Sequence, residues 1–231
     1  MSRPTFVFVH GAWHGSWCWA PVRQILGERG WTTVAPELPT VHAADKAALD
    51  MMTDADAVRA AVDAADGDVV VVAHSYGGVP ATQGAVADNV AHIVYISAFV
   101  LDIGESLVGG NSGVYPDWWN VMGDVVAPGN ADRPPQALFY GDLPAAEADA
   151  AAAQLTTQSL RAFETEVTAT AWRGRPTTYL ITERDAIFPV APQEALAGRA
   201  GSSTVRLPTS HSPFLSQPGA VADIIERAAK Q

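Results

Sequence analysis

Six short apolar runs, separated by stretches with helical periodicity, limit the folds that this chain can adopt. The strand candidates are residues 5–9, 32–36, 68–73, 92–97, 177–182 and 203–207, and the helical stretches lie near 16–29, 53–65, 77–88, 190–199 and 218–229. Regular alternation of this kind is typical of a sheet that carries helices on both faces. It predicts an α/β fold built on a mainly parallel, doubly wound sheet.

One long segment interrupts the alternation. Residues 102–173 contain no strong strand pattern, but they hold an aromatic cluster, a Pro/Gly-rich stretch and an alanine-rich run at 145–153. Alanine has the highest helix propensity, and a structureless loop of this length is uncommon in a compact domain. We therefore expect a small, mostly helical insert at 102–173, with residues 1–101 and 174–231 forming the core.

The charge balance excludes some classes of partner. The chain has 14 basic and 25 acidic residues, for a net charge of −11, and this excess disfavours binding to nucleic acid or to anionic membranes. Cys18 is the single cysteine, so no intramolecular disulfide can form. The first ten residues hold a five-residue apolar-rich stretch, too short for a signal-peptide core or a membrane span. We expect a soluble cytoplasmic protein.

A serine follows the third strand candidate in the stretch Ala73-His74-Ser75-Tyr76-Gly77. A nucleophilic serine must project from a sharp strand-to-helix turn, and crowding there requires small residues two positions before and two after it. Ala73 and Gly77 meet that requirement. The pattern alone also fits a serine that merely ends a buried strand, but its place between a strand and a helical stretch favours a nucleophile.

Acyl transfer to a serine also needs backbone N–H groups that stabilise the developing oxyanion. One would come from Tyr76, directly after the serine, and the second from the loop after an early strand. The first strand candidate runs into His10-Gly11-Ala12. Gly11 allows the backbone to turn close to the site, so Ala12 is the candidate for the second donor.

The remaining requirement is a general base with an acid that orients it. In this class of fold the chain order is serine, acid, histidine. Of the six histidines only His211 follows the last strand candidate. Asp185 follows the strand at 177–182 and is the favoured acid. Glu183 lies nearer the strand end, and Asp102 after the strand at 92–97 is a further alternative that better fits the start of the insert.

Metal and cofactor sites find no support in the sequence. His10 and His14 are four residues apart, but they lie in a glycine-rich loop rather than on a helix face, and the chain has no pair of thiolates. Neither of the glycine-rich phosphate-binding motifs is present. We therefore expect neither metal nor cofactor, and we expect His74 to pack beside the serine rather than act as its base.

The ordered motifs HGAWHGSWCW, AHSYGG, ITERDAIFP and SHSPFLSQP resemble the α/β-hydrolase superfamily. The chain is most similar to the plant methylesterase and hydroxynitrile lyase branch and its bacterial esterase relatives. The resemblance extends into the insert, where ALFYGDLP and LTTQSLRAF are similar to that branch's cap. It implies a Ser75–Asp185–His211 triad with Ala12 and Tyr76 as oxyanion donors. Two departures are Ala73 in the serine motif and one extra residue before Asp185, which keeps Glu183 open as the acid.

Two positions separate the chemistries of the branch that this chain resembles. Its lyases typically carry threonine at the position of Gly11 and lysine at the position of Ser212, and their absence implies ester hydrolysis. We expect a small apolar ester or lactone as substrate. Alternatives on the same residues are lyase or other carbon–carbon cleavage, perhydrolysis, or ligand binding without catalysis. Besides Gly11 and Ser212, the candidate pocket residues are Trp13, Tyr115, Trp118 and Trp119.

Overall fold

Strands and helices alternate along most of the chain in the computed structural model, which describes residues 3–230. The strands, β1 to β9 in chain order, are Thr5–Val9, Thr33–Val34, Val69–His74, Val90–Ile96, Trp119–Met122, Val125–Pro128, Gln158–Ser159, Thr177–Thr182 and Ser203–Leu207. The α-helices, α1 to α10, are Ala20–Glu28, Pro39–His42, Met51–Asp63, Gly78–Gly84, Pro135–Phe139, Ala145–Ala152, Arg161–Glu164, Val190–Arg199, Pro213–Ser216 and Pro218–Ala228. Short 3-10 helices are Ser16–Trp19, Lys46–Ala48, Ser75–Gly77 and Gly109–Asn111.

The main sheet has the strand order β2-β1-β3-β4-β8-β9, and every neighbouring pair is parallel. The predicted parallel α/β sheet is therefore confirmed. From β1 the chain moves outward to β2 and then returns to β3 on the other side of β1. In such sheets ligands bind beyond the carboxyl ends of the strands, where the strand order reverses. The loops after β1 and β3 meet at that place.

Both faces of the sheet are buried at its central strands, which explains the continuous apolar runs in the sequence. Phe6 and Phe8 of β1 face a cluster formed with helices α1, α9 and α10. Val7 and Val9 face the opposite cluster, formed with α3, α4 and α8. Alternate residues of one strand point to opposite faces, so each run contributes to two cores. No helix within residues 3–230 has the length and apolar character needed to span a bilayer.

The insert contains helices α5 to α7, as expected, and also a small sheet that the sequence analysis missed. Strands β5, β6 and β7 pair antiparallel in that order. Met122 pairs with Val125, so Gly123 and Asp124 form a two-residue hairpin loop in which Gly123 has φ of 64°. A Gly-containing pair between short apolar segments is a hairpin signal, but the flanking segments were too short to stand out.

The turn after β3 depends on a glycine. A Cβ atom placed on Gly77 would lie 2.5 Å from the carbonyl oxygen of His10 and 2.6 Å from that of Val9. We expect Gly77→Ala to lower the free energy of unfolding by about 3 kcal/mol, since overpacking of this kind forces backbone shifts. Thermal unfolding would show a drop in Tm of about 6–12 °C.

The matched control for that substitution is Gly198→Ala in α8, where a Cβ atom would meet nothing within 4 Å. Alanine has the higher helix propensity there, so its Tm is expected to be unchanged or slightly raised. Equal Tm values for the Gly77 variant and the wild type would contradict the close approach of the two loops.

Candidate active site

Ser75 lies in a sharp turn at the carboxyl end of the central strand β3. Its φ angle is 51°, in the left-handed region that non-glycine residues rarely occupy. The backbone passes directly from the strand into the 3-10 helix at Ser75 and then into α4. The carbonyl of Ser75 accepts a hydrogen bond from the Phe99 amide at 3.1 Å. The turn therefore has the form expected for a projecting nucleophile, and Ser75 is 8% exposed.

His211 is held by Asp185 from a neighbouring loop. The distance between Nδ1 of His211 and Oδ2 of Asp185 is 2.6 Å, and both side chains are almost fully buried. Asp185 also accepts hydrogen bonds from the Thr182 hydroxyl and from the backbone amides of Ile187 and Phe188. Four donors thus fix the carboxylate directly behind the imidazole.

Electrostatics keep this carboxylate ionised. Burial raises the pKa of Asp185, but the electrostatic interaction with His211 and the hydrogen bonds from His211, Thr182 and Phe188 outweigh it, so the pKa lies below its ordinary value. A carboxylate only accepts, so Nδ1 of His211 carries the proton. Its Nε2 atom is buried and has no hydrogen-bond partner among residues 3–230. The ring therefore presents an unshared lone pair.

The two alternative acids lie elsewhere. Glu183 is partly exposed and pairs with Arg206 at 3.7 Å. Asp102 forms an ion pair with Arg173 at the surface. Within the described residues neither carboxylate hydrogen-bonds to His211. Asp185 is therefore the acid that the geometry favours.

In the loop after β1, the backbone N–H of Ala12 points away from the hydrogen bonds that hold the loop. The Gly11 carbonyl accepts from Nδ1 of His10 at 2.9 Å and from the amide of His14 at 3.4 Å. In a trans peptide the N–H points opposite to the carbonyl, so these bonds direct the Ala12 N–H the other way. That N–H has no protein acceptor within residues 3–230. Tyr76 lies in the first turn of its helix, where N–H groups lack intrahelical acceptors.

These groups meet in a cavity of about 220 Å³ between the sheet and the insert. Seven of the predicted site residues line it: Ala12, Trp13, Ser75, Tyr76, Trp118, Trp119 and His211. The other lining residues were not predicted from the sequence: Phe99, Leu107, Pro116, Phe163, Ile187 and Phe188. Ile187 and Phe188 belong to the quoted loop after Asp185, so their position in the chain was a usable signal. Phe163 belongs to the quoted segment LTTQSLRAF, but nothing in that segment indicates that the folding of the insert brings its ring to the cavity.

Three predicted pocket residues lie outside the cavity lining. Tyr115 stacks behind Trp119, with ring centroids 5.8 Å apart, and donates a hydrogen bond to Glu164. Ser212 is buried, and its hydroxyl lacks a partner among residues 3–230. Gly11 packs against a histidine ring, as its missing side chain allows. These three residues support or adjoin the wall rather than form it.

The space at Gly11 is limited by His74. A Cβ atom on Gly11 would lie 2.6 Å from Nδ1 of His74 and 3.1 Å from Cβ of Ser75. His74 is fully buried, and its Nε2–H donates to the carbonyl of His211 at 2.9 Å. The prediction that His74 packs beside the serine agrees with this contact. The ring also excludes a larger side chain at Gly11.

A family model for the alpha/beta hydrolase family matches residues 6–224. The chain belongs to this family. Among full-length relatives of this α/β-hydrolase family member, the alpha/beta hydrolase nvfD of Aspergillus novofumigatus is 28% identical over 246 residues, covering 99% of this chain and 98% of the relative. A pyrethroid hydrolase of Sphingobium wenxiniae is 25% identical over 256 residues, covering 97% and 87%. Methylesterase 7 of Arabidopsis thaliana is 33% identical over 110 residues, or 44% and 42% of the two chains.

Solved structures share the fold of this family member. A pyrethroid hydrolase from Sphingobium faniae JZ-2 superposes with a TM-score of 0.81 at 23% identity, covering 99% of this chain and 98% of the other. A methylesterase from Arabidopsis gives 0.79 at 23% identity, covering 98% and 99%. The resemblance that the sequence motifs indicated is thereby confirmed.

A cluster of groups near the active site of this family member could in principle hold a metal ion: His10, Glu37 and His42. His14, the other histidine of the glycine-rich loop, is not part of this cluster. Nε2 of His10 already accepts from the Leu38 amide at 3.1 Å. Nε2 of His42 lies 2.9 Å from the His14 carbonyl and 3.0 Å from Glu37. Hydrogen bonds occupy these nitrogens, so the cluster fits an ion pair better than a metal site.

Three buried histidines around the site make the stability of this family member depend on pH. Burial lowers the pKa of His10 to about 4 and of His14 to about 3, and it lowers the pKa of His74 well below its ordinary value. In the unfolded chain each titrates near pH 6.5. Their contribution to the free energy of unfolding is complete above pH 6.5 and is lost as the pH falls below that value. Asp54 and His42, whose pKa values are raised, act in the opposite direction.

We expect the free energy of unfolding to decrease between pH 6.5 and 5, because three protons taken up on unfolding outweigh the two opposing groups. Each proton contributes about 1.4 kcal/mol per pH unit. Urea unfolding at pH 7 and pH 5 measures the difference. Equal or greater stability at pH 5 would show that these rings are protonated in the folded protein.

Proposed function

We propose that this family member hydrolyses carboxylic esters or lactones through an acyl-enzyme on Ser75. The observation that carries the proposal is the orientation of His211. Its Nδ1 is hydrogen-bonded to a buried carboxylate, its Nε2 is unshared, and His211 and Ser75 line the same cavity. A base that a carboxylate orients and that shares a cavity with a projecting serine is the requirement for nucleophilic acyl transfer.

Acylation follows from this arrangement. Nε2 of His211 accepts the proton of the Ser75 hydroxyl while Oγ attacks the carbonyl carbon of the ester. The carbonyl oxygen becomes an oxyanion and accepts hydrogen bonds from the backbone N–H groups of Ala12 and Tyr76. Collapse of this intermediate breaks the carbon–oxygen bond of the ester, and the protonated His211 gives its proton to the departing alcohol.

Deacylation repeats the sequence with water. His211 accepts a proton from the water molecule, whose oxygen attacks the acyl carbon, and the same N–H groups hold the second oxyanion. His211 then returns a proton to Oγ of Ser75 and the carboxylic acid leaves. Throughout, Asp185 stays ionised, keeps the proton on Nδ1 and stabilises the imidazolium form.

The cavity walls indicate how a substrate lies. The aromatic wall of Trp13, Trp118, Trp119 and Phe163 is suited to a compact apolar acyl group. The cavity adjoins a chamber of about 680 Å³, which offers room for the alcohol part. The two spaces share Phe99, Leu107, Pro116, Ile187 and Phe188. We infer a substrate with a small acyl part and a larger apolar alcohol part.

The names of relatives support ester hydrolysis over the lyase alternative. They include a carbendazim hydrolyzing esterase from a Nocardioides strain and the methylesterases of Arabidopsis. A threonine at Gly11, which the lyases of this branch typically carry, would place its Cβ 2.6 Å from His74. At Ser212 no positive charge is available for a leaving cyanide.

Hydrolysis of p-nitrophenyl esters and of a small lactone tests the proposal. We expect p-nitrophenyl acetate and butyrate to be cleaved with a higher kcat/KM than the decanoate, because the acyl wall closes a small cavity. Mandelonitrile, assayed for released cyanide, is the control for lyase chemistry. Release of cyanide without hydrolysis of any ester or lactone would contradict the proposal.

A further inference from the structure

Trp13, the residue after the candidate oxyanion donor Ala12, has a strained backbone with φ of 63°. The insert holds it at three points. Its amide donates to Oε1 of Gln158 at 3.1 Å, its carbonyl accepts from the Thr156 amide at 3.1 Å, and its indole N–H donates to the Val126 carbonyl at 3.0 Å. The loop after β1, which carries Ala12 and Trp13, therefore depends on the insert for its conformation.

The peptide between Ala12 and Trp13 is fixed at both ends. Its carbonyl accepts from Nδ1 of His14 at 2.7 Å, and its N–H is the one that Gln158 binds. Rotation of this peptide would change the backbone torsion at Ala12 and so strain the preceding peptide, which carries the free Ala12 N–H. Gln158 thus acts on the direction of that donor through the adjacent peptide.

Gln158 continues into a buried chain of hydrogen bonds. Its Nε2 donates to the hydroxyl of Thr40 at 2.9 Å, and that hydroxyl donates to Oδ2 of Asp54 at 2.6 Å. The amide of Thr40 donates to Oδ1 of Asp54 at 2.9 Å. The Tyr76 hydroxyl donates to Oδ2 of the same carboxylate at 2.7 Å. This chain of hydrogen bonds therefore ends at Tyr76, whose backbone N–H is the other candidate oxyanion donor.

All of these side chains lie out of solvent. Gln158, Thr40 and Asp54 are 0% exposed and Tyr76 is 1% exposed. Burial raises the pKa of Asp54 to about 6, while hydrogen bonds from Thr40 and Tyr76 oppose the rise. At pH 7 the carboxylate is mostly ionised and accepts from every neighbour. The hydroxyls of Thr40 and Tyr76 then both donate in one direction, toward the carboxylate of Asp54.

We infer that Gln158, Thr40 and Asp54 are positioning residues that set the relative placement of the Ala12 and Tyr76 N–H groups. The inference rests on the proposed function, since it assigns the network to the oxyanion of that reaction. None of the three lines the cavity. Their effect is expected on the transition state, where the oxyanion forms, rather than on substrate binding.

Thr40→Val tests the inference because it breaks the middle of the chain with a side chain of similar shape. We expect kcat for p-nitrophenyl acetate to fall about tenfold with KM within about twofold, since small displacements of oxyanion donors weaken only the transition state. The rate constant for labelling by a fluorophosphonate should fall by a similar factor. Thr40→Ser, which keeps the hydroxyl, should restore both rates.

Thr177→Val is the matched control. Thr177 is also buried and its hydroxyl bonds to Ser202 at 2.7 Å, but it lies at the opposite end of the sheet. We expect unchanged kcat for this variant. An unchanged kcat in Thr40→Val, a rise in KM alone, or an equal loss in both variants would overturn the inference.

If Thr40→Val does not fold, as judged by circular dichroism and Tm, Tyr76→Phe supplies the second test. It removes the hydroxyl that donates to Asp54 and leaves the backbone N–H of residue 76 in place. Tyr179→Phe, which loses a hydrogen bond of 2.8 Å to the Ala98 carbonyl, is its control. Loss of kcat only in Tyr76→Phe supports the network, and equal kcat values overturn it. A wild-type protein that neither hydrolyses esters nor reacts with the probe would instead refute the proposed function.

Discussion

The Ser75→Ala variant is expected to lose about 10⁶-fold in kcat for p-nitrophenyl acetate, the loss seen when a serine nucleophile is removed from a complete triad. Without Oγ no acyl-enzyme can form, and only the oxyanion donors and the cavity remain. The change deletes one atom from a residue that is 8% exposed, so the fold should be retained. Initial rates against enzyme concentration, with circular dichroism as a check on folding, measure the effect.

Ser97→Ala is the matched control for this variant. Ser97 also follows a central strand and also has a positive φ, of 38°. Its hydroxyl lies 3.4 Å from the carbonyl of His211 and is no candidate nucleophile. We expect its kcat to stay within tenfold of the wild type. Ester hydrolysis that survives in Ser75→Ala at more than a hundredth of the wild-type rate would rule out an obligatory acyl-enzyme on this serine.

Asp185→Asn is expected to lower kcat by about 10⁴-fold, because it stabilises the wrong imidazole tautomer. The amides of Ile187 and Phe188 donate to Oδ1 of Asp185, so an asparagine would turn its oxygen toward them. Its NH₂ group would then face Nδ1 of His211 and donate to it. The proton of the neutral ring would move to Nε2, where it blocks removal of the proton from Ser75.

Glu183→Gln and Asp102→Asn are the controls for this prediction. Both carboxylates pair with surface arginines, Arg206 and Arg173, rather than with the base. Exposed pairs of this kind contribute little to stability, so we expect both variants to keep kcat within a few-fold. A loss of kcat confined to Glu183→Gln would identify Glu183 as the acid. Near-normal kcat in Asp185→Asn would exclude Asp185 from the mechanism.

The sheet could be predicted, and candidate polar site residues could be proposed, because both depend on local patterns. Short runs of β-branched apolar residues such as 69–72 are typical of strands buried on two faces. The sharp turn at Ser75 needs small neighbours, which the sequence displays. Asp185 and His211 follow strand ends, so parallel strands bring them to one edge of the sheet.

The insert was harder to predict because its contacts are set by packing between distant segments. Phe163 reaches the cavity only because strands β5 to β7 fold over the loop that follows β1. Tyr115, by contrast, stacks behind Trp119, although both belong to one aromatic cluster in the sequence. The chain from Gln158 through Thr40 to Asp54 joins residues more than a hundred positions apart, and no spacing rule connects them.

Reaction with a fluorophosphonate, followed by mass spectrometry of the intact protein and of its peptides, tests the central claim most directly. The probe forms a stable phosphonyl ester with an activated serine. We predict a single adduct on the peptide that contains Ser75, formed in parallel with loss of esterase activity and absent from Ser75→Ala. An adduct on another residue, or complete inactivation without an adduct on Ser75, would contradict the account.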